Sequence, residues 1–532
     1  MLQSGFFDGS LTMPETPFMV SYPSYIYVCT TIDLTTTTAV ERAVTLPDRE
    51  RFTKSNARPP FRPPCDDHPA GGVIAHFINN LSYLNYLPAK DPKVPEIRDS
   101  IATDAISIAR LNLALAPSDL RSLVQISRKP PFNAPHIRSA VITIADNSQS
   151  CFSSNALAKI MQEMAACKFS EKEIDFSLQR YIKIKWLDLN IHDLIHLARA
   201  ARVSKLKWPS IYGRMAELIK EGQFIQVETL VEAVRQAALT KLFQDSVLHF
   251  FNLCQPIFAS RMNELKVSAI AEIFRGYGAI HRVSSMTPEM LELIENSVDH
   301  LNFKDIKRTL FGMAELGIGE DRIISKLRTR LLELCELKKI EERDLISIIW
   351  SLAVAGNGRN MEAIWPQLSN YPARRLRPEV LRLIYQTALI SGLELPENLK
   401  QLTARAETRK WSRESNLPNS FELSVAKEIR RHGVRFKFAH NECGVEMDMI
   451  IRKDGLPPIA VFCDGVRYHH INQHHRYGLC GPDKMASRLL LSNGFKVVRI
   501  PDTLWRKGRY ESGWLHWYFQ ENGGVNLADY RE

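Results

Sequence analysis

Ile459-Ala-Val-Phe-Cys-Asp464-Gly465-Val-Arg-Tyr468-His469-His470 is an apolar run that stops abruptly at Asp-Gly. A run of this length with such a break reads as a buried strand, and the glycine lets the backbone turn where polar and aromatic side chains begin. A functional site at the end of that strand is the first expectation. Upstream, Val445-Glu-Met-Asp448-Met-Ile-Ile451 reads as a second strand, joined to the first through the turn Asp454-Gly455. Val434-Arg-Phe-Lys-Phe438 alternates with period two and reads as another strand, and Phe421 to Arg431 reads as an amphipathic helix. Downstream, Lys484 to Ser492 reads as a helix stopped at Asn493-Gly494, and Phe495-Lys-Val-Val-Arg-Ile500 as a strand closed by Pro501. The order helix, three strands, helix, strand predicts a small α/β domain over residues 420–510, with residues 511–532 as a C-terminal tail.

Residues 401–419 are polar and charged and read as a linker. Before them, residues 71–400 read almost entirely as helix, and eight segments share one pattern. These begin Leu120-Arg-Ser-Leu-Val-Gln125, Leu157-Ala-Lys-Ile-Met-Gln162, Leu194-Ile-His-Leu-Ala-Arg199, Leu230-Val-Glu-Ala-Val-Arg235, Ile270-Ala-Glu-Ile-Phe-Arg275, Ile306-Lys-Arg-Thr-Leu-Phe311, Leu345-Ile-Ser-Ile-Ile-Trp350 and Leu381-Arg-Leu-Ile-Tyr-Gln386. Their starts are spaced by 37, 37, 36, 40, 36, 39 and 36 residues. Second helices are predicted between them, over Ile174–Ile182, Ile211–Ile219, Met290–Val298 and Ile324–Cys335. A two-helix unit recurring every 37 residues or so is an α-solenoid, in which each pair buries its apolar face on the next. Residues 1–70, rich in Thr, Ser and Pro, have little to bury and are predicted to be poorly ordered, with a short apolar helix starting near Gly72.

The composition narrows the function classes. At 532 residues the chain exceeds one compact core, so a multidomain or repeat architecture is required. Its 69 Lys and Arg against 59 Asp and Glu give a net charge of +10, which favours a polyanionic partner. Nine cysteines without a Cys-x-x-Cys pair indicate neither a disulfide framework nor a zinc ribbon, and fit a reducing compartment. No apolar run approaches the roughly 18 residues of a membrane span, which predicts a soluble protein with no membrane partner. The first basic residue is Arg42, whereas organellar transit peptides are usually Arg-rich, so the N-terminal stretch gives no address.

One column of the repeat alignment carries functional weight. Its sixth position holds Gln125, Gln162, Arg199, Arg235, Arg275, Phe311, Trp350 and Gln386. At 100° per residue it points away from the apolar stripe of the first, fourth and fifth positions, toward a groove or solvent. Gln and Arg can pair with base edges and aromatics can stack on bases, so the column is a candidate face for single-stranded RNA.

The C-terminal unit resembles the RAP domain, an RNA-associated module commonly appended to helical repeats in organellar RNA-metabolism proteins, including the FAST-kinase family. Four blocks carry the likeness: Met447-Asp448-Met-Ile, Ile459-Ala-Val-Phe-Cys-Asp464-Gly465, Lys484-Met-Ala-Ser-Arg488-Leu-Leu, and Gly494-Phe-Lys-Val-Val-Arg-Ile-Pro501 with Trp505. The resemblance covers about a fifth of the chain. It implies a restriction-endonuclease-like fold, a mitochondrial or plastid location, and a non-catalytic role in processing, stability or translation of organellar mRNA or rRNA. An architectural or assembly role in an organellar ribosome is the alternative within the same family.

Metal-dependent nucleases of this fold need an acid on one strand and an acid followed two positions later by lysine on the next, to hold Mg²⁺ and orient water. Asp448 matches the first acid, but Phe462 stands at the second and Asp464 at the lysine. Phe462-x-Asp-Gly-x-x-x-His469 is also similar to the strand-and-histidine motif of very-short-patch repair endonucleases. By that likeness Asp448, Asp464 and His469 are the candidates if the protein cleaves RNA. His470 and His474 are weak candidates for metal, with His469, His475 and Cys480 close in sequence. A better-supported feature is basic charge beside aromatics: Lys427, Arg430, Arg431, Arg435 and Lys437, then Lys484, Arg488 and Arg499, with Tyr468 close by. That density suits phosphate contact and base stacking.

Overall fold

The computed structural model describes residues 69–531 except 88–90, 128–133, 149–151, 170–181, 183–184, 223–224, 241, 338–341, 357–360, 363, 371–375, 377, 409–417, 466–469, 474–475, 509–510 and 512. The segment predicted to be poorly ordered, 1–70, lies outside them apart from Pro69 and Ala70, as does the second helix predicted over Ile174–Ile182 apart from Ile182.

A long helical-repeat region is followed by a small mixed α/β unit. Two helices, Pro69–Tyr86 and Val94–Arg110, come first. The first helices of the repeats are Pro117–Ile126, Ser154–Ala166, Ile191–Val203, Val227–Thr240, Val267–Ala279, Phe303–Leu316, Glu342–Ala355 and Pro378–Ser391, each packed on the next. Second helices include Ser210–Lys220, Asp245–Ser260, Thr287–Asn296 and Asp321–Leu337. Glu397–Thr408 is also helical, so helix runs into the first half of the predicted linker.

The repeat is visible in how several of the first helices begin and end. Asn190 and Asn302 occupy equivalent N-caps, each accepting hydrogen bonds from the two backbone amides that follow the first helical residue. This satisfies donors that a helix start otherwise leaves bare. At the other end the chain turns through a left-handed residue, Lys168, Lys205, His281, Gly317 or Gly392. The next amide reaches back to the helix, from Phe169 to Met164, Leu206 to Ala201, Arg282 to Tyr277, Ile318 to Met313 and Leu393 to Ala388, at 2.8–3.1 Å. These are Schellman stops, and three of the five place a side chain where glycine is preferred, at a cost of about 1 kcal/mol each. One continuous apolar core, including Leu157, Leu194, Leu230, Ile270, Ile306, Leu345 and Leu381, runs through the stack.

In the α/β unit, Asn419 and Glu422 form a capping box that starts the helix Ser420–Arg431. Strands β1 (Lys437–Glu442), β2 (Val445–Ile451) and β3 (Ile459–Asp464) make an antiparallel meander. A separate hairpin, β4 (His470–Gln473) with β5 (Arg476–Leu479), leads to the helix Gly481–Ser492, and β6 (Lys496–Pro501) then joins the first sheet parallel to β3. β1 lies about three residues later than the alternation predicts, because Val434 is used in a bridge to Arg531 at the far end of the chain. All six residues of β3 are buried, as a central strand covered on both faces requires.

Alternate residues of β3 feed two cores. Ile459, Val461 and Cys463 pack with Val425, Ile429, Val498, Trp505 and Phe519. Ala460 and Phe462 pack with Met447, Met485 and Leu489, and this second core continues into the array through Ala314 and Val354, with Trp350 against it. Residues after 510, predicted as a tail, include the helix Trp514–Gly523, whose Leu515, Tyr518 and Phe519 complete the first core. The array and the α/β unit belong to one compact body. Gly481 shows how closely they fit: a Cβ there would lie 1.7 Å from the carbonyl oxygen of Ala314. Among the described residues, no helix is long and apolar enough to cross a membrane.

Candidate nucleic-acid interface

Most of the polar sixth-position side chains of the array are engaged, by a partner in their own repeat, the next repeat or the α/β unit. Arg199 grips Glu232 of the next repeat through Nε and Nη2 at 3.1 and 2.8 Å. Arg235 reaches Glu232 at 3.3 Å and Glu272 of the next repeat at 4.0 Å. Glu272, only 5% exposed, also takes Arg275 through Nε at 2.7 Å and Arg308 from the following repeat at 2.6 Å. Gln162 pairs with His196 at 2.6 Å, and Gln386 donates to the carbonyl of Gly444 in the α/β unit at 2.7 Å. Burial lowers the His196 pKa, as do the nearby charges of Arg199 and Lys159. Phe311 and Trp350 are half-buried, and Gln125 is exposed. The partners within the array form a second column, the third position of the segments, with His196, Glu232 and Glu272. That column is visible in the sequence alignment, but its pairing with the sixth position depends on how successive helices stack.

The α/β unit presents a different surface. Lys427, Arg430 and Arg431 stand exposed on one side of the helix Ser420–Arg431, and Arg435 and Lys437 continue the exposed charge into β1. Glu428 pairs with Arg431 at 2.9 Å. The Arg430 guanidinium lies 5.0 Å from the Phe436 ring centroid, and Phe436 meets Phe438 edge to face at 5.1 Å. Lys484 is also exposed, whereas Arg488 is half-buried, with Nη2 3.4 Å from the carbonyl oxygen of Val354.

Arg499 is internal, and this corrects its reading as a surface contact. It lies opposite Phe462 in the parallel register, stacks on that ring at 4.3 Å and is 9% exposed. Nη1 donates to both carboxylate oxygens of Asp464 at 2.8 and 2.9 Å, Nη2 to Asp483 at 2.8 Å, and Nε to Ser487 at 3.0 Å. The fork geometry of a guanidinium satisfies both carboxylates at once. Cys480 donates its thiol proton to Asp483 at 2.8 Å, and burial together with that carboxylate pushes the Cys480 pKa well up.

Asp448 lies on β2 near the point where it separates from β3. The paired register runs through Met449 and Val461 and goes no further. The Cys463 amide instead donates to Asp448 Oδ2 at 2.7 Å. Beyond the separation a cleft of about 940 Å³ opens against the array, its walls including Trp350, Arg382, Phe421, Phe438, Glu446 and Asp448. The acids proposed for metal are therefore engaged, Asp464 by a guanidinium and Asp448 by a backbone amide. Among the described residues, no three His, Cys, Asp or Glu side chains are grouped to hold a metal ion. Tyr468, His469, His474 and His475 lie outside the described residues, and of His470 only the backbone, at the start of β4, is described.

No protein-family model and no curated protein matches this chain.

Proposed function

We propose that this is an RNA-binding protein of organellar RNA metabolism, a helical-repeat array carrying a RAP-like domain of restriction-endonuclease-like fold, which holds RNA without turning it over. The observation that carries the reading is the exposed run Lys427, Arg430, Arg431, Arg435 and Lys437 beside Phe436 and Phe438. Cations spaced along a helix and a strand suit successive phosphates, and adjacent aromatic faces suit unstacked bases. The four sequence blocks that resemble RAP domains lie on β2, β3, the helix Gly481–Ser492 and β6, and the order helix, meander, helix, parallel strand agrees with that likeness. A mitochondrial or plastid location follows from the same resemblance.

The engaged acids argue for binding over cleavage. Hydrolysis of the usual kind needs carboxylates free to share a divalent ion, and here Arg499 occupies Asp464 and Asp483. A second reading, a scaffold within an organellar ribosome, is favoured by the repeat-to-repeat pairing of Arg199 with Glu232 and of Arg308 with Glu272, which leaves fewer array cations for phosphates.

The test is a salt series of binding to single-stranded RNA. Replacing Lys427, Arg431 and Lys437 together by Gln should weaken binding and lower the slope of log K against log salt by about 2, as expected for three lost phosphate contacts on a single strand. An unchanged slope removes the RNA role from this surface.

A further inference from the structure

The basic run and the cleft draw on the same helix and the same strand, yet they differ in charge. Phe438 lines the cleft and follows Lys437 in β1, and Phe421 lines it from the same helix that carries Lys427. Six residues of helix separate Phe421 from Lys427, about 9 Å at 1.5 Å per residue. In the cleft walls acids outnumber bases, with Glu422, Glu446, Asp448 and Asp502 against Arg382 and Arg506. Glu446 is 32% exposed, with Arg382 3.6 Å away, and Asp448 and Glu422 also line the walls. A phosphate would be attracted to the rim and repelled by this interior. An uncharged, flat group bearing N–H donors would be accepted there by the carboxylates and packed by the aromatic walls.

We infer that the cleft takes a single unstacked nucleobase of an RNA strand whose phosphates lie on the Lys427–Lys437 run, and that it prefers guanine. This inference rests on the RNA-binding reading above and adds the position and identity of one base. Guanine presents N1–H and the N2 amino group side by side, a pair of donors that one carboxylate accepts with both oxygens. Adenine offers one amino donor beside an acceptor, and uracil one imide N–H between two acceptors, so both leave a polar mismatch against a carboxylate. The volume, about 940 Å³, is ample for one nucleotide. Recognition of a splayed base on its Watson–Crick edge, combined with stacking, is the usual means of reading single-stranded RNA.

The experiment uses the full chain and two dodecamers, oligouridylate and the same strand with one central guanosine, measured by fluorescence anisotropy. The single guanosine should tighten binding about tenfold, as a bidentate base contact provides, and inosine, which lacks the N2 amino group, should recover only part of that gain. Glu446→Gln should bring the guanosine-to-uridine ratio close to one. Asp448→Asn, which keeps an acceptor for the Cys463 amide, provides a second variant should Glu446→Gln fail to fold, and it should also lower the ratio. Replacing Lys427, Arg431 and Lys437 by Gln should weaken both strands and preserve the ratio. Equal binding of the two strands by the unaltered protein overturns the base site and leaves the RNA-binding reading standing. Binding of neither overturns both.

Discussion

Two sets of basic side chains are alike in composition and end in opposite surroundings. The arginines of the array, Arg199, Arg235 and Arg275, stand at a position that helical geometry turns away from the apolar stripe, and so do Lys427, Arg430 and Arg431 on the first helix of the α/β unit. The array arginines meet carboxylates of the same or a neighbouring repeat, at Glu232 and Glu272. The helix Ser420–Arg431 packs on the sheet through Val425 and Ile429 and leaves Lys427 and Arg430 exposed, with Arg431 paired to Glu428 on the same helix. In a stacked array, therefore, a polar residue off the apolar stripe faces solvent or an acid, and the third-position residues of its own and the following repeat decide which.

The contrast can be broken by substitution. Arg499→Met removes the counter-ion of two carboxylates at the most buried of these ion clusters, and should cost about 3–5 kcal/mol in a urea unfolding titration. A change below about 1 kcal/mol would mean that Asp464 and Asp483 do not depend on it. Glu272→Gln leaves Arg275 and Arg308 without their shared carboxylate and should cost about 2–3 kcal/mol, lowered from the fully buried case by the partial exposure of the arginines. Glu232→Gln is milder, about 1 kcal/mol at neutral pH, because its pair with Arg199 is half-exposed.

The Glu232 effect should carry a pH signature. Burial alone would raise this carboxyl's pKa, but the hydrogen bonds from Arg199 and Gln236 and the charges of Arg199 and Arg235 hold it below the ordinary value. A group depressed in the folded state stabilises at neutral pH and loses that contribution as the pH falls through its folded value. The stability gap between the unaltered protein and Glu232→Gln should therefore close on acidification below the ordinary carboxylate range; a gap that persists there would remove the ion-pair account. The smallest effect on stability belongs to the outward set: Lys427→Gln and Lys437→Gln should change unfolding free energy by less than about 0.5 kcal/mol each. A larger loss would show that these lysines, too, are structural.

The sequence made the repeats legible because apolar residues recur at the first, fourth and fifth positions of the eight segments, Thr309 excepted, and it made β2, β3 and β6 legible because their apolar runs are bounded by Gly and Pro. It hid what depends on distant partners. The strand placed at Val434 moves because Val434 pairs with Arg531, almost a hundred residues on. Asp464 looked like a reactive strand end until β6 brought Arg499 against it. The last twenty residues did carry a signal, the aromatic density of Trp514, Trp517, Tyr518 and Phe519, which suits a core better than a tail. The cleft left no local trace, since its walls come from Trp350, Phe421, Phe438 and Glu446, which only the packing of the α/β unit on the array brings together.

The seat of Gly481 against Ala314 also constrains how such a chain can be re-engineered. The helix Gly481–Ser492 lies across the helices Phe303–Leu316, Glu342–Ala355 and Pro378–Ser391, so those three units act as a fixed socket for the α/β unit. Earlier units touch mainly their own neighbours and can be duplicated, deleted or exchanged as modules without disturbing it. Length is thus adjustable from one side only, and a builder who wishes to transplant the α/β unit must carry the last three repeats with it.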